Sequence, residues 1–308
     1  MKIAVTGGTG FIGRYVVEKL LEQDYDVSVL ATKQDKKLSS GSKLFAKSKF
    51  VKSDILNPKK ISSSLNGFDC VVHLAALRST KDSVEAPLQY NRMNIDGTVN
   101  VLEAVRVNRI KKMVFASISS VYGNDFEVPQ KEDCCPEPSN PYGLSKLVGE
   151  KYCAMYSAAY GIESVSLRPF NVYGPRQKFG DSVISMFIAS ALSGKKPVIY
   201  GDGSNLRDFV YVEDVADAFA LALKNISKVK GKAINVGSGK NHSVAQILKM
   251  VEKISGTKLS IETKQNFPGN VKETLADISR AKNLLGWEPK YSLEQGLRKT
   301  FAWYKANL

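Results

Sequence analysis

Residues 140–150 of the chain read NPYGLSKLVGE. An Asn-Pro pair is a helix-entry signal, and it sets Tyr142 and Lys146 at i and i+4, on one face of the helix that follows. A phenol with an ordinary pKa of about 10 is a poor base at neutral pH, but an ammonium close by stabilises the phenolate and pulls that value down. Lys146 can do this and also hold a ribose hydroxyl. Such a pair alone is commonly surface decoration; combined with a phosphate-binding turn earlier in the chain, it points to proton transfer.

That turn is TGGTGFIG, residues 6–13. Gly7, Gly10 and Gly13 recur at three-residue spacing, Gly8 starts an overlapping G-x-G-x-x-G, and Phe11 and Ile12 open the next helix. Glycines permit the tight turn, let backbone approach a pyrophosphate and allow helix to pack on strand, while the helix N-terminus offers free N–H groups to phosphate. A short apolar strand, Lys2 to Thr6, precedes the turn and helical periodicity from Phe11 to Leu21 follows it, so dinucleotide binding is expected over a merely structural turn. Asp54 and Ile55, after the third strand, offer a contact to the adenine edge, or Asp54 simply caps a loop. The second strand ends Leu30-Ala31-Thr32-Lys33, where an acid would hold the ribose hydroxyls of NAD. Without that acid a 2′-phosphate is not repelled, and Thr32 and Lys33, with Arg14, could bind one. NAD and NADP both stay open, since Lys33 could equally begin an exposed lysine-rich segment.

The segment FASISSVYG, 115–123, crowds Ser117, Ser119 and Ser120 at the end of an apolar strand. Side chains alternate along a strand, so Ser117 and Ser119 would face opposite to Ile118, and only a bulge or the end of the strand would turn one of them toward Tyr142. Ser119 is the expected hydroxyl.

The elements that must carry these groups alternate. Strands are expected at 25–31, 49–54, 70–76, 112–118 and 163–169, most of them separated by helix-length segments. This is an α/β chain with a Rossmann-type doubly wound parallel sheet and right-handed crossovers. From Asn171 the texture shifts to loops rich in Gly, Asn and Asp, with helical patterns at 183–193, 212–224, 243–254 and 292–305. The expected division is a dinucleotide-binding domain over 1–170 and roughly 208–236, and a smaller C-terminal substrate-binding lobe over roughly 171–207 and 237–308. A cleft between them at the carboxyl ends of the strands is the expected ligand site.

At 308 residues and 43% hydrophobic, the chain can fill a substantial core. No apolar run approaches the roughly 20 residues that span a bilayer, and MKIAVTGG enters a strand pattern at once, so no membrane partner is expected and the cytosol is the default compartment. Cys70, Cys134, Cys135 and Cys153 lack metal-ligand spacing and read as reduced thiols; no metal is expected. Forty-four Lys and Arg against 30 acids give a formal charge of +14. No basic helix interleaved with aromatics accompanies it, which favours a solvated surface or attraction of phosphate over a nucleic-acid partner.

The motifs TGGTGFIG, VVHLAA (71–76), NIDGTVNVLEA (94–104), SVYG (120–123), PYGLSK (141–146), RPFNVYGPRQ (168–177), GDGSNLRDFVYVEDV (201–215) and ADISRAKNLLGWEP (276–289) together resemble the extended short-chain dehydrogenase/reductase superfamily, in its nucleotide-sugar epimerase/dehydratase branch. The resemblance covers essentially the whole chain. It implies a 4-epimerase in which Tyr142 takes the proton of a sugar 4-hydroxyl while C4 gives a hydride to NAD or NADP, and a nucleotide-diphosphate sugar as substrate. It places Leu74, Ala75 and Ala76, with His73, on the cofactor's pyrophosphate side, although His73 lies within a strand and could be a core residue. Asn94 belongs to the scaffold beside the cofactor, and Asn171 and Arg207 to the nucleotide diphosphate. Arg176 contacts phosphate or caps a loop; Arg207 could instead pair with Asp208. A homodimer through helices near 88–108 and 143–160 is also implied. Three positions depart from the family pattern: Ala31 at the ribose acid, Phe267 at a substrate-phosphate arginine, and Ile118 where the family carries the Ser or Thr that completes a triad with Tyr and Lys. These departures keep two other functions in view, an NADP-dependent reductase of a nucleotide-linked 4-keto-6-deoxy sugar and a non-catalytic dinucleotide- or RNA-binding protein.

Overall fold

The computed structural model describes residues 1–34, 42–124, 127–266 and 271–307, so Phe267 and residues 35–41 of the lysine-rich stretch lie outside the described residues. Seven strands form one parallel sheet: β1 (Lys2–Thr6), β2 (Asp26–Ala31), β3 (Lys49–Lys52), β4 (Cys70–His73), β5 (Lys112–Ala116), β6 (Glu163–Pro169) and β10 (Ala233–Val236). Their order is β3-β2-β1-β4-β5-β6-β10. The chain moves outward from β1 through β2 and β3, then returns to the other side of β1 as β4. A crevice opens at the carboxyl ends of β1 and β4, the place where such doubly wound sheets hold ligands.

The central strands are apolar on both faces because both faces are covered. Helices Phe11–Glu22 and Val212–Lys224 pack on one side over Ile3, Val5, Val72, Val114 and Val165. Helices Gly97–Val107 and Pro141–Tyr160 cover the other, over Ala4, Val71, Met113 and Phe115. Outside the main sheet, β7 (Asn171–Tyr173), β9 (Leu206–Tyr211) and β11 (Asn241–Ser243) form a second sheet, and β8 (Val198–Tyr200) pairs with β12 (Glu262–Lys264). A separate core around Phe187, Ile188, Phe209, Ile247 and Leu297 holds these pieces together.

Three strands end sooner than the sequence pattern suggests: β3 stops at Lys52 rather than 54, and β4 and β5 also stop early. Pairing stops at His73 rather than 76, because its partner Thr6 is the last residue of β1 before the glycine turn leads away. Pairing of β5 stops at Ala116 rather than 118, and Ser119–Val121 is a 3-10 turn. The apolar runs of β4 and β5 continue past the sheet into loops that form the site.

Contact between the Pro141–Tyr160 helix and β5 depends on Gly149. A Cβ there would lie 2.6 Å from Cζ of Phe115, a ring with no exposed surface and therefore no room to yield. Gly149→Ala is expected to lower stability by roughly 1–2 kcal/mol, overpacking outweighing the gain in helix propensity. The denaturation midpoint of the variant, at unchanged m-value, checks this.

Candidate active site

The glycine turn fits a phosphate. Gly7 has φ +69°, and a Cβ on it would lie 2.6 Å from the backbone nitrogen of Ala75; a Cβ on Gly13 would lie 2.2 Å from the carbonyl oxygen of Gly7. The turn after β1 and the segment after β4 are thus in backbone contact, and Gly10 N–H closes the turn on Gly7 O at 2.9 Å. The Phe11–Glu22 helix begins at Gly10 with no side-chain cap and no acid in its first turn, which leaves its N–H groups for an anion. These residues fit the pyrophosphate of a dinucleotide.

Other expected cofactor contacts divide. Ile55 is buried against Gly97, where a Cβ would lie 2.7 Å from its Cδ1, and Asp54 Oδ1 accepts from the Leu56 N–H at 2.9 Å, which is the loop-cap alternative. Thr32 and Lys33 are exposed just beyond β2. Arg14 donates to the carbonyl of Arg176 at 3.0 Å.

His73 is a core residue with a structural bond on each ring nitrogen. Thr98 Oγ1 donates to the Asn94 carbonyl at 2.6 Å, so it accepts from Nε2 of His73 at 3.1 Å, and Nδ1 accepts from Thr6 Oγ1 at 2.6 Å. Asn94 lies in a π-helical turn, Asn91–Asp96. Its side chain accepts from Leu77 N–H at 2.8 Å and donates to Leu77 O at 3.0 Å and to Ser145 Oγ at 2.9 Å; Ser145 in turn donates to the Tyr142 carbonyl at 2.8 Å.

Asn140 caps the helix of Tyr142 and Lys146, its side chain accepting from Gly143 N–H at 2.9 Å. Tyr142 is 9% exposed and meets Tyr90 edge to face, with centroids 6.1 Å apart. Lys146 Nζ donates to the Ala116 carbonyl at 2.8 Å and lies 4.9 Å from the centre of the Phe115 ring. Burial pushes Tyr142 up to about 12, and the cation that opposes the rise is Arg78. Burial also lowers Lys146 to about 8, against the acids Cys153 and Glu150.

The serines separate because the strand has ended. Ser117 is buried and its hydroxyl donates to Glu150, in a cluster where Arg168 Nε and Nη2 bond Glu150 at 2.9 and 2.7 Å and Nη1 reaches the Tyr122 hydroxyl at 2.9 Å. Ile118 is half-buried against Val121, Tyr122, Phe170 and Ala276. Ser119 instead opens the 3-10 turn and lines a cavity of about 120 Å³ with Thr80, Ser120, Gln130, Asn171 and Arg207. Gly143 holds this turn against the Tyr142 helix, since a Cβ there would lie 2.5 Å from Ser120 O.

Asn171 and Arg207 meet at that cavity from β7 and β9. Asn171 Nδ2 donates to Asp208 O at 2.9 Å, and Arg207 Nη1 donates to the carbonyls of Leu206 and Lys272 at 2.9 and 3.2 Å. Arg207 does not take the ion-pair alternative: the Asp208 carboxylate accepts from Ser238 N–H at 2.6 Å, Gly239 N–H at 3.0 Å and Ala276 N–H at 3.1 Å, on the opposite face of the strand. Burial lowers Arg207 to about 10. Arg176 is a correction to the expected phosphate contact: its guanidinium pairs with Glu18 at 2.8 Å and stacks over Tyr15, fastening its loop to the first helix. Thr80 was not expected here; no local pattern marks it, and only the folded loops bring it to the cavity.

The profile of the NAD dependent epimerase/dehydratase family matches residues 3–237. The chain belongs to the NAD-dependent epimerase/dehydratase family. Among its relatives is the UDP-glucose 4-epimerase of Lactobacillus helveticus, 33% identical with 100% of this chain and 98% of that one covered. Two solved structures superpose with a TM-score of 0.93 at 35% identity: the UDP-glucose 4-epimerase of Thermotoga maritima with UDP-glucose, covering 100% of this chain and 99% of that one, and the UDP-glucuronic acid 4-epimerase of Bacillus cereus with UDP-glucuronic acid and NAD, covering 100% of both.

His73 contributes a pH-dependent stability. Burial lowers the imidazole to about 3, with the charge of Lys146 adding to it. The neutral form is favoured in the fold, so this contribution is fully present above about pH 6.5, the ordinary value, and is lost as pH falls toward 3. Stability is expected to drop by up to about 1.4 kcal/mol per pH unit over that window, and His73→Gln should lack this part of the slope. Urea unfolding at a series of pH values checks it.

Proposed function

We propose that the protein is an NAD-dependent nucleotide-sugar 4-epimerase, with Tyr142 as the proton-transferring group, Lys146 and the glycine turn on the cofactor side, and Asn171 and Arg207 toward the nucleotide diphosphate. The observation that carries this reading is the placement of Tyr142 and the Ser119–Val121 turn side by side at the carboxyl end of β5, next to the crevice of the glycine turn. Bound at that crevice, NAD supplies acceptance of the C4 hydride and its return, so the net redox change is zero. Tyr142 takes the proton of the 4-hydroxyl as C4 is oxidised. It gives the proton back when the 4-keto sugar, turned over, is reduced on its other face. Ser119 replaces the hydroxyl missing at Ile118 and bonds the reacting oxygen, while the lobe of 171–207 and 237–308 holds the nucleotide. UDP-sugars are the substrate class, from the ligands named for the relatives.

No acid stands at Ala31, Thr32 or Lys33 to repel a 2′-phosphate, so NADP is the second cofactor to test. Mass spectrometry of the cofactor released on denaturation, paired with interconversion of UDP-glucose and UDP-galactose and of UDP-glucuronate and its 4-epimer, tests the whole reading. Tyr142→Phe is expected to lose at least about 100-fold in kcat, and Ser119→Ala about 10-fold or more with cofactor content unchanged. Full activity of Tyr142→Phe, or stoichiometric consumption of NADPH without an epimer, would overturn it.

The assembly we infer is a homodimer. Leu88, Val107, Leu144 and Tyr160 are 83%, 60%, 51% and 49% exposed on the neighbouring helical segments Pro87–Tyr90, Gly97–Val107 and Pro141–Tyr160. Apolar side chains gathered on adjoining helices suit an interface of one chain with its copy. Sedimentation should show a dimer for the wild type and a monomer for Leu88→Arg/Leu144→Arg; a monomeric wild type refutes it.

A further inference from the structure

Three non-glycine residues among those described have a positive φ: Asp24 at 57°, Arg109 at 56° and Arg176 at 64°. Asp24 and Arg109 each follow the C-cap residue of a helix, Gln23 and Asn108, where a left-handed residue is a common ending. Arg176 follows no helix. It stands after Pro175 in the turn that leaves β7, at a corner glycine would adopt freely, and such strain persists only where the surroundings over-determine it. Here the phosphate-binding helix, Phe11–Glu22, does so. Nη1 of Arg176 reaches both carboxylate oxygens of Glu18, at 2.8 and 2.9 Å, and its guanidinium carbon lies 5.2 Å from the centre of the Tyr15 ring. The Tyr15 hydroxyl donates to the carbonyl of Pro175 at 3.0 Å, and Arg14 Nη2 donates to that of Arg176 at 3.0 Å.

The residues on either side of this corner belong to the substrate lobe. A Cβ on Gly174 would lie 2.4 Å from Cγ1 of the buried Val212, so no side chain fits between the turn and the Val212–Lys224 helix. Gln177, 5% exposed, accepts through its carbonyl from the Tyr304 hydroxyl of the Leu293–Asn307 helix, and its Oε1 accepts at 2.9 Å from Oγ of Ser182, the cap of the Val183–Ser193 helix. Asn171, at the cavity, begins β7 immediately before this turn. Residues 174–177 are therefore the junction between the helix of the glycine turn and the elements around the nucleotide-sugar cavity, and Arg176 is fastened at its strained corner.

We propose that Arg176 is the positioning residue that fixes the substrate lobe on the phosphate-binding helix and thereby retains the 4-keto sugar between its two hydride transfers. This inference rests on the epimerase reading of the site. After the first transfer the two electrons are on the cofactor and the hydroxyl proton is on Tyr142. The 4-keto sugar is then held by no covalent bond, and it must turn over while its nucleotide stays in place. When the lobe shifts relative to the cofactor, the keto sugar leaves with its carbonyl unreduced, and both electrons stay behind. Retention therefore depends on the spacing between glycine turn and lobe, to which such a transfer is sensitive at the ångström level. Arg176 and Glu18, 26% and 14% exposed in their side chains, are screened less than the surface pairs, and the stacking on Tyr15 adds a contact that a lysine would lack.

The test uses the intact protein with its cofactor and UDP-glucose. Arg176→Ala is expected to keep its cofactor, since the glycine turn is untouched, and to release 4-keto sugar into solution, with matching build-up of reduced cofactor, about tenfold or more faster than the wild type. Arg176→Lys keeps the pairing with Glu18 and should recover most of the retention. Tyr15→Phe removes only the bond to Pro175 and should leak in the same direction, more weakly. Arg176→Gly separates the clamp from the strain: it relaxes the backbone and should still leak as Arg176→Ala does. Calorimetric titration with UDP, which needs no turnover, should show affinity lowered about threefold or more in Arg176→Ala and Arg176→Gly. An Arg176→Ala variant that loses rate without releasing keto sugar, or an Arg176→Gly variant that retains it as the wild type does, would reduce Arg176 to a structural fastening and overturn the proposal. A wild type that epimerises no UDP-sugar while UDP affinity still follows Arg176 would instead remove the epimerase reading and leave the positioning of the lobe intact.

Discussion

An unbroken run of buried hydrogen bonds connects the phosphate-binding turn to the residue that moves the proton. Ala75 N–H meets Thr6 Oγ1, Thr6 donates to His73, His73 to Thr98 and Thr98 to the carbonyl of Asn94; from the Asn94 side chain the run continues through Ser145 to the carbonyl of Tyr142. These groups are shielded from water, so each broken link would leave an unsatisfied donor or acceptor at a cost of about 1–3 kcal/mol. The links therefore hold β1, β4, the π-helical turn and the Pro141–Tyr160 helix in one register. A site that must align a dinucleotide with a phenol needs that rigidity before either ligand arrives.

The second constraint acts on the other side of Tyr142. Glu150 and Arg168, 7% and 4% exposed in their side chains, pair bidentately, and Ser117 and Tyr122 complete their hydrogen bonds. Removing either partner would strand a buried charge, so the cluster resists rearrangement. Its effect on the site is geometric. Ser117 is fixed inward, Ile118 packs on Tyr122 and Phe170, and the chain can then only turn at Ser119, toward the cavity of Asn171 and Arg207. The isoleucine in place of a hydroxyl is thus an apolar anchor for the turn, and the polar role passes to the residue after it.

The parallel sheet, the glycine turn and the Tyr142/Lys146 pair were legible because each depends on local rules. Apolar runs bounded by helix-length segments specify strands covered on both faces; glycine spacing specifies where backbone can meet phosphate; an i,i+4 spacing specifies one helix face. Strand ends were legible only approximately, because Leu74 to Ala76 and Ser117 to Ile118 remain apolar or small after their pairing has ended. Arg176 could not be assigned at all from its position in GPRQ. Whether it meets a phosphate or Glu18 depends on a helix more than 150 residues earlier.

By itself, the sequence determined the architecture, the family and the two residues whose spacing suits proton transfer, since these follow from periodicity and short-range geometry. Tertiary structure alone decided how deeply Tyr142 is buried, which serines line the cavity and that Arg176 meets Glu18. Electrostatic influence depends on distance and burial through space, and segments as far apart as Arg78 and Asp181 acquire a distance only when the chain has folded.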